Sequence, residues 1–213
     1  LRSSLEKLGE GHFGKVLDIT DPEAAKEAIQ SVVEAFGGVD ILISNAGSAK
    51  QGSITDLDIK VVRDSFEVNF FAHYEFAKAF AKVLKLQDRG GQILFNISKQ
   101  AVNPGKNFGA YGLPKATTMF LMRQLALELG SENIRVNGVN ADRIRSGLLT
   151  DEYISQRADA RGVSEDRYMA GNLLNKEVMA SHVADAFVAL ACSVRTTGHV
   201  MTVDGGNIEA SLR

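Results

Sequence analysis

The sequence predicts an α/β protein built on a doubly wound parallel sheet. Three short apolar runs, at residues 39–44, 92–97 and 134–140, have the length and composition of strands that are buried on both faces. Longer segments with helically spaced apolar residues separate these runs. Buried strands that alternate with helices are typical of parallel sheets, because parallel strands need long crossover connections.

Length and composition fit one domain that covers residues 1–213, with 45% hydrophobic and 23% charged residues. The net charge of -2 and the lack of a basic cluster favour neither a nucleic acid nor an anionic membrane surface as partner. Cys192 is the single cysteine and the four histidines lack ligand spacing, so we expect neither disulfides nor a metal site. No signal peptide or long apolar span is present, and we expect a cytoplasmic protein.

The N-terminal quarter contains a glycine motif that we interpret as a loop. Residues 1–8 predict the end of a charged helix, and residues 9–14 then match G-x-G-x-x-G literally. A dinucleotide-binding fingerprint should follow a strand and open a helix. This one follows a helix and precedes residues 15–19, which predict a strand. Thr20 and Glu23 then form a possible capping box for a helix that stops at Gly37.

The middle of the chain combines a small-residue turn with a long helical region. After the run at residues 39–44 comes Asn45-Ala46-Gly47, whose small side chains let the backbone approach a flat ligand. Residues 56–86 predict a helix with a phenylalanine stripe that suits a core or a subunit interface. Asn69 lies inside it, where asparagine has poor helix propensity and a buried amide needs partners.

Tyr111 and Lys115 are the main candidates for chemistry. Four residues apart on a predicted helix from 109 to 130, they lie on one face. An ammonium group near a phenol lowers a pKa that is ordinarily ~10, which suits a general acid or base. Ser98, at the end of the run 92–97, is placed to point toward Tyr111. The alternatives are a half-buried helix tyrosine, a solvated lysine and a strand-end cap.

Taken together, these motifs resemble the classical short-chain dehydrogenase/reductase family. The order of the Asn45-Ala46-Gly47 turn, Asn69, Ser98 and Tyr111-x-x-x-Lys115 is that of the family, and Ser98 lies thirteen residues before Tyr111. The resemblance implies a Rossmann-like fold. It also implies an oxidoreductase that interconverts an alcohol and a carbonyl with NAD or NADP.

The same resemblance assigns roles to individual residues. Tyr111 exchanges a proton with the substrate oxygen, and Ser98 hydrogen-bonds that oxygen. Lys115 lowers the pKa of Tyr111 and holds the nicotinamide ribose, while Asn69 holds a water of a proton relay. Cofactor contacts are implied at Asp18, Ile19, Asn45, Ala46, Gly47, Tyr111, Lys115 and Ile144.

The resemblance also predicts a part of the fold for which this sequence has no counterpart. A doubly wound nucleotide-binding sheet begins with a strand, a glycine turn and a helix that holds the pyrophosphate. Such a βαβ unit needs ~30 residues, and only eight precede Gly9. We therefore expect a domain without its first βαβ unit, in which the residue that distinguishes NAD from NADP is absent.

Two departures from the family pattern lie near the expected substrate end. Ala141-Asp142 stands where the family has Pro-Gly, and Lys99 follows Ser98 where a small residue is commoner. The strings 140–145 and 202–208 resemble the dehydrogenase part of bifunctional rhamnulose-phosphate aldolase/short-chain dehydrogenase proteins. This implies a hydroxy-aldehyde or sugar substrate, such as lactaldehyde or rhamnose, and a possible aldolase domain upstream. Residues 147–180 correspond to the family's variable lid.

Two other function classes stay open. An extended-type epimerase or dehydratase uses the same tyrosine and lysine, but the Asn45-Ala46-Gly47 turn, the position of Ser98 and the short C-terminal region argue against it. A non-catalytic Rossmann-like module is compatible with the expected loss of the first unit. The resemblance to the short-chain dehydrogenase/reductase family also implies a homo-oligomer, a dimer or a tetramer, paired through the helices that carry Asn69 and Tyr111.

Overall fold

The computed structural model describes residues 1–207, apart from the side chains of Arg2 and Ser4, and contains one four-stranded sheet. Its strands are β1 (Ile41–Ser44), β2 (Gly91–Asn96), β3 (Ile134–Ala141) and β4 (Val200–Val203). They pair in the order β1-β2-β3-β4, and every pairing is parallel. The predicted parallel α/β class is therefore confirmed. Ile208, part of the family-like tail, lies outside the described residues.

Helices occupy the connections between the strands. The eight α-helices of the described residues are α1 (Arg2–Leu8), α2 (Ala24–Phe36), α3 (Ile59–Phe66), α4 (Ala72–Gln87), α5 (Gly109–Leu129), α6 (Asp151–Asp159), α7 (Glu165–Met169) and α8 (Ala180–Cys192). The π-helical turn Glu67–Phe71 joins α3 to α4, and short 3-10 turns lie at Lys99–Ala101 and Gly130–Glu132. No helix of residues 1–207 is long and apolar enough to cross a membrane.

Alternating side chains of β2 separate two cores, one on each face of the sheet. Ile93 and Phe95 point into the larger core, formed with α2, α4 and α5, and Leu94 points into a second core under α8. All three are fully buried. Because successive strand residues face opposite sides, a run that is apolar throughout fits a sheet covered on both faces. The carboxyl ends of the strands remain open for a site.

The N-terminal region differs from the sequence prediction. Residues 15–19 form no strand: they pair with no described strand, and Val16 is 80% exposed. The predicted capping box is also wrong, because the Thr20 hydroxyl donates to Asp18 Oδ1 at 2.7 Å and α2 begins only at Ala24. The predicted stop is confirmed, since Gly37 takes a left-handed conformation with φ of 79°.

Candidate active site

Tyr111 and Ser98 meet at the carboxyl end of β2. Tyr111 lies in the first turn of α5, and Ser98 comes two residues after β2 and caps the short turn Lys99–Ala101 by accepting from the Gln100 N–H at 3.2 Å. The two side chains are hydrogen-bonded to each other. The strand end and the helix start thus place both hydroxyls at one point, as the thirteen-residue spacing suggested.

Lys115 lies one helical turn behind Tyr111 and is almost completely buried, with 2% exposure. Its Nζ lies 5.8 Å from the Tyr111 ring centroid and donates to the Asn96 carbonyl at 2.9 Å. Burial lowers the pKa of Lys115 from 10.5 to about 8. The β2 carbonyl therefore aims the ammonium group at the space beside Tyr111.

The predicted lowering of the Tyr111 pKa is wrong. Burial raises the pKa of Tyr111 above its ordinary value, and the hydrogen bond with Ser98 opposes that shift. The ammonium group of Lys115 is directed at the Asn96 carbonyl and does not reverse this shift. Tyr111 is consequently held as a neutral phenol, the form that can donate a proton.

Asn69 is fully buried in the π-helical turn, and its amide is satisfied. Nδ2 donates to the Ser48 carbonyl at 2.8 Å and the Ser65 carbonyl at 3.0 Å, and Oδ1 accepts from the Ser48 N–H at 3.2 Å. The backbone carbonyl of Asn69 accepts from the Thr118 hydroxyl at 2.7 Å. Asn69 therefore ties the loop after β1 to the helices, and its role with a relay water stays a prediction.

His73 is a buried member of this neighbourhood that sequence reasoning missed. It lies one turn after Asn69, and its Nδ1 is 2.6 Å from the Ser44 hydroxyl at the end of β1. Burial, followed by the charge of Lys115, lowers the pKa of His73 to about 3, although a backbone hydrogen bond with Ala46 opposes this. A single histidine forms no recognisable sequence motif. Its position four residues after Asn69 would nevertheless have placed it on the same face of a predicted helix.

A groove of about 960 Å³ runs along the strand ends from the Asn45-Ala46-Gly47 turn to Ile144, with Tyr111 and Lys115 in its wall. Position 47 leaves little room for a side chain, since an added Cβ would lie 3.0 Å from Oδ1 of Asn69, which is itself held by the Ser48 N–H. The close backbone approach and the lysine donor fit the ribose and nicotinamide end of a dinucleotide.

Asp18 and Ile19 do not line this groove. The Asp18 carboxylate is exposed and accepts two hydrogen bonds from Thr20, which lower its pKa. Because residues 15–19 form no strand, nothing in the described chain holds Asp18 at the edge where the other strands end. Adenine contact by these two residues stays a prediction.

A second cavity, of about 390 Å³, adjoins the groove. It is lined by Ser98, by residues of the loops after β2 and β3, and by residues of the predicted lid segment that include Tyr153 and Tyr168. Tyr111 belongs to the walls of both spaces. A molecule in the groove and another in this cavity would therefore both be next to Tyr111.

The two departures from the family pattern contact each other in the wall of the second cavity. Lys99 Nζ lies 3.2 Å from Asp142 Oδ2, and both side chains are largely buried. Asp142 Oδ2 also lies 3.3 Å from Arg143 Nε and accepts from Asn207 Nδ2 at 2.8 Å. Asp142 thus links the segments that follow β2, β3 and β4.

Comparison with known proteins gives a consistent result. A family model described as enoyl-(acyl carrier protein) reductase matches residues 2–207. The uncharacterised oxidoreductase YuxG of Bacillus subtilis (strain 168) is 32% identical over 198 residues, which cover 89% of this chain but only 29% of YuxG. The chain therefore spans less than a third of that relative's length.

Two further curated relatives are covered more fully. L-rhamnose 1-dehydrogenase (NAD(P)(+)) of Sphingomonas sp. (strain SKA58) is 31% identical over 204 residues, or 96% of this chain and 79% of the relative. Short-chain dehydrogenase reductase 5 of Arabidopsis thaliana is 34% identical over 193 residues, or 89% and 73%.

A solved structure shares the fold as well. Carveol dehydrogenase from Mycobacterium avium, in complex with NAD, superposes with a TM-score of 0.84 at 29% identity, over 90% of this chain and 73% of the other. With the family model, the relatives and the Ser98, Tyr111 and Lys115 geometry in agreement, the chain belongs to the short-chain dehydrogenase/reductase family.

Proposed function

We propose that this protein is a nicotinamide-dependent oxidoreductase that interconverts an alcohol and a carbonyl. The observation that carries the proposal is the position of Tyr111, which is hydrogen-bonded to Ser98 and lines both the groove and the second cavity. Bound NAD or NADP supplies the hydride chemistry. The relatives support that choice, since one is named an NAD(P)(+) dehydrogenase and another was solved with NAD.

The side chains of this chain then have separate tasks. In reduction, the neutral Tyr111 hydroxyl donates a proton to the carbonyl oxygen as it gains charge. The Ser98 hydroxyl donates a hydrogen bond to the same oxygen and fixes its distance from Tyr111. Lys115, aimed by the Asn96 carbonyl, is placed to bind ribose hydroxyls in the groove. Asn69 and His73 keep the groove wall in place.

For the substrate, we propose a small hydroxy-aldehyde or sugar of the lactaldehyde or rhamnose type. The 31% identity to an L-rhamnose 1-dehydrogenase supports this class, and so does the size of the second cavity, about 390 Å³. Association with an aldolase domain, as in the bifunctional proteins of similar sequence, remains a prediction.

We also propose a homo-oligomer formed through α5. Its apolar residues Leu113, Phe120 and Leu127 are 49%, 67% and 79% exposed and follow each other at intervals of seven. That interval keeps them on one helix face, so they form an exposed apolar stripe.

Cofactor titration followed by a turnover screen tests the proposed function. NADH and NADPH are titrated calorimetrically into this chain and into any longer natural form of the protein. Lactaldehyde, rhamnose and glyceraldehyde are then offered with both the oxidised and the reduced form of the cofactor that binds, so that either direction of hydride transfer is tested. We expect binding of at least one cofactor and turnover of at least one substrate. Absence of cofactor binding by both forms would contradict the proposal and favour a non-catalytic module.

A further inference from the structure

The charged side chains that line the second cavity are mostly basic. Five basic side chains and a single carboxylate line it, whereas the whole chain has 24 basic and 26 acidic residues. These charged lining residues are Lys99, Lys106, Arg143, Arg157, Arg161 and Asp142. Basic side chains are thus concentrated in a space that borders both Ser98 and Tyr111.

The single carboxylate of the cavity is already neutralised. Asp142 pairs with Lys99 and Arg143 and accepts from Asn207, so it has no capacity to balance the remaining arginines. Within residues 1–207, neither Arg157 nor Arg161 forms an ion pair. The Arg157 Nε is buried and has no hydrogen-bond partner among these residues.

Aromatic rings and the helix backbone hold the two arginines in place instead. The Arg157 guanidinium carbon lies 5.6 Å from the Phe108 ring centroid, and that of Arg161 lies 5.1 Å from the Tyr168 centroid. Arg161 Nη1 also donates to the Arg157 carbonyl at 3.4 Å. An arginine that stacks on an aromatic ring keeps the N–H groups at the edge of its own guanidinium plane free to bind a ligand.

The arginines share a cavity with the reacting position. The Phe108 ring that supports Arg157 also contacts Tyr111, with ring centroids 6.5 Å apart. Arg157, Arg161 and Tyr111 all line the same space of about 390 Å³. A substrate bound there would have its carbonyl at Tyr111 and its other end facing the arginines.

We propose that Arg157 and Arg161 bind an oxyanion, a phosphate or a carboxylate, at the end of the substrate opposite the reacting carbon. Guanidinium groups match the geometry of both anions and bind them through paired hydrogen bonds. The inference rests on the proposed function and refines it. Among hydroxy-aldehydes and sugars, the cavity favours phosphorylated or carboxylated members over neutral ones.

Equilibrium binding of three-carbon probes tests this inference independently of turnover. Glycerol, glycerate and glycerol 3-phosphate are titrated calorimetrically into the protein and into the variants Arg157→Met, Arg161→Met and the double variant. We expect both anions to bind more tightly than glycerol, and each substitution to weaken anion binding roughly tenfold or more without affecting glycerol. The tighter of the two anions identifies the group as phosphate or carboxylate.

Arg167→Met is the matched control, since Arg167 is an exposed lid arginine that does not line this cavity. Equal binding of glycerol and the anions would overturn the inference, as would an equal loss of anion binding in the Arg167 variant. Turnover of glyceraldehyde and glyceraldehyde 3-phosphate is measured in parallel. Turnover of both without an anion preference would leave the dehydrogenase function intact and refute only the oxyanion site.

Discussion

Lys99 Nζ and Asp142 Oδ2 lie 3.2 Å apart, and this contact joins the loops that follow β2 and β3 beside Ser98. The two residues are 43 positions apart in the sequence and are the two departures from the family pattern. Each compensates for the other, because a buried charge is tolerated only when it is paired. The pair therefore fixes the wall against which Ser98 is positioned.

Removing one partner of the Lys99–Asp142 pair should destabilise the fold more than removing both partners. We expect Asp142→Asn to destabilise the fold by about 3 kcal/mol, since Lys99 would remain buried without its counter-ion. The double variant Lys99→Met/Asp142→Asn should recover at least half of this loss. Urea unfolding of the two single variants and the double variant measures the coupling.

Lys106→Met serves as the control for that cycle, since Lys106 is exposed in the same cavity wall. It should leave the free energy of unfolding unchanged. Additive effects of the two substitutions at Lys99 and Asp142 would show that the contact has no energetic role.

Tyr111→Phe should remove proton transfer and leave the fold intact. Loss of a general acid slows the chemical step by about 10²- to 10⁴-fold, while cofactor affinity should change little. Steady-state turnover with lactaldehyde and calorimetric cofactor binding separate the two effects. Tyr74→Phe, at an exposed position on α4 that lines neither the groove nor the second cavity, is the control and should keep kcat within about threefold. Full activity of Tyr111→Phe would refute the assigned role.

Lys115→Met should abolish activity but stabilise the protein. A pKa lowered from 10.5 to about 8 means that burying the charged amine costs about 3 kcal/mol at neutral pH. Removing the charged amine should therefore stabilise the fold, but losing its hydrogen bond to Asn96 offsets about 1 kcal/mol of that stabilisation. We therefore expect a net increase of about 2 kcal/mol in the free energy of unfolding at pH 7.

The pH dependence of that difference has a definite sign. Between pH 8 and 10.5 the unfolded lysine keeps its proton while the folded one loses it, so wild-type stability should rise with pH. The advantage of Lys115→Met should shrink over the same interval. Lys82→Met, an exposed position on α4, should change neither value. A pH-independent difference would argue against burial of the charged amine.

His73 should make the fold sensitive to acid. Its pKa is about 3 when folded and 6.5 as a free side chain, so below pH 6.5 the unfolded state binds a proton that the folded state excludes. Stability should therefore fall as the pH falls from 6.5, by at most about 1.4 kcal/mol per pH unit from this group.

His73→Gln, which can retain the hydrogen bond to Ser44, should have a shallower acid dependence in thermal unfolding between pH 4 and 6.5. His12→Gln, at an exposed position, is the control. An unchanged slope in the His73 variant would mean that other groups dominate the acid response.

Phe120→Lys should dissociate the proposed homo-oligomer. Phe120 is the middle residue of the exposed α5 stripe, and burying a charge there without a partner would be costly. Analytical ultracentrifugation should then give a monomer. Val188→Lys, an exposed apolar position on α8, should keep the wild-type mass. A monomeric wild-type protein would contradict the proposed oligomer.

Local patterns were sufficient to predict strands β1 to β3 and the positions of Ser98, Tyr111 and Lys115. β2 is a continuous apolar run because the sheet is covered on both faces there, and that signal is visible in a single sequence. β1 shows the same pattern, although Ile41 and Ile43 are 47% and 50% exposed. The four-residue spacing of Tyr111 and Lys115 follows directly from helix geometry. The run at residues 15–19 has the same local character, but without a neighbouring strand it does not pair.

Properties that depend on burial or on distant contacts were not predictable. The sign of the Tyr111 pKa shift is set by desolvation, which the sequence does not reveal. The partner of His73 comes from another element, 29 positions away. The ion pair of Lys99 likewise depends on the neighbouring positions of two strand ends. In each case the property depends on burial or on contacts between residues that are distant in the sequence.

The presence of Tyr111 in the walls of both the groove and the second cavity has a stereochemical consequence. With the cofactor in the groove and the substrate in the second cavity, a carbonyl group that is hydrogen-bonded to Tyr111 and Ser98 would present one side of its plane to the hydride. A ketone would then give an alcohol of a single configuration. An aldehyde reduced with a deuterated cofactor would give a primary alcohol that carries deuterium in a single configuration.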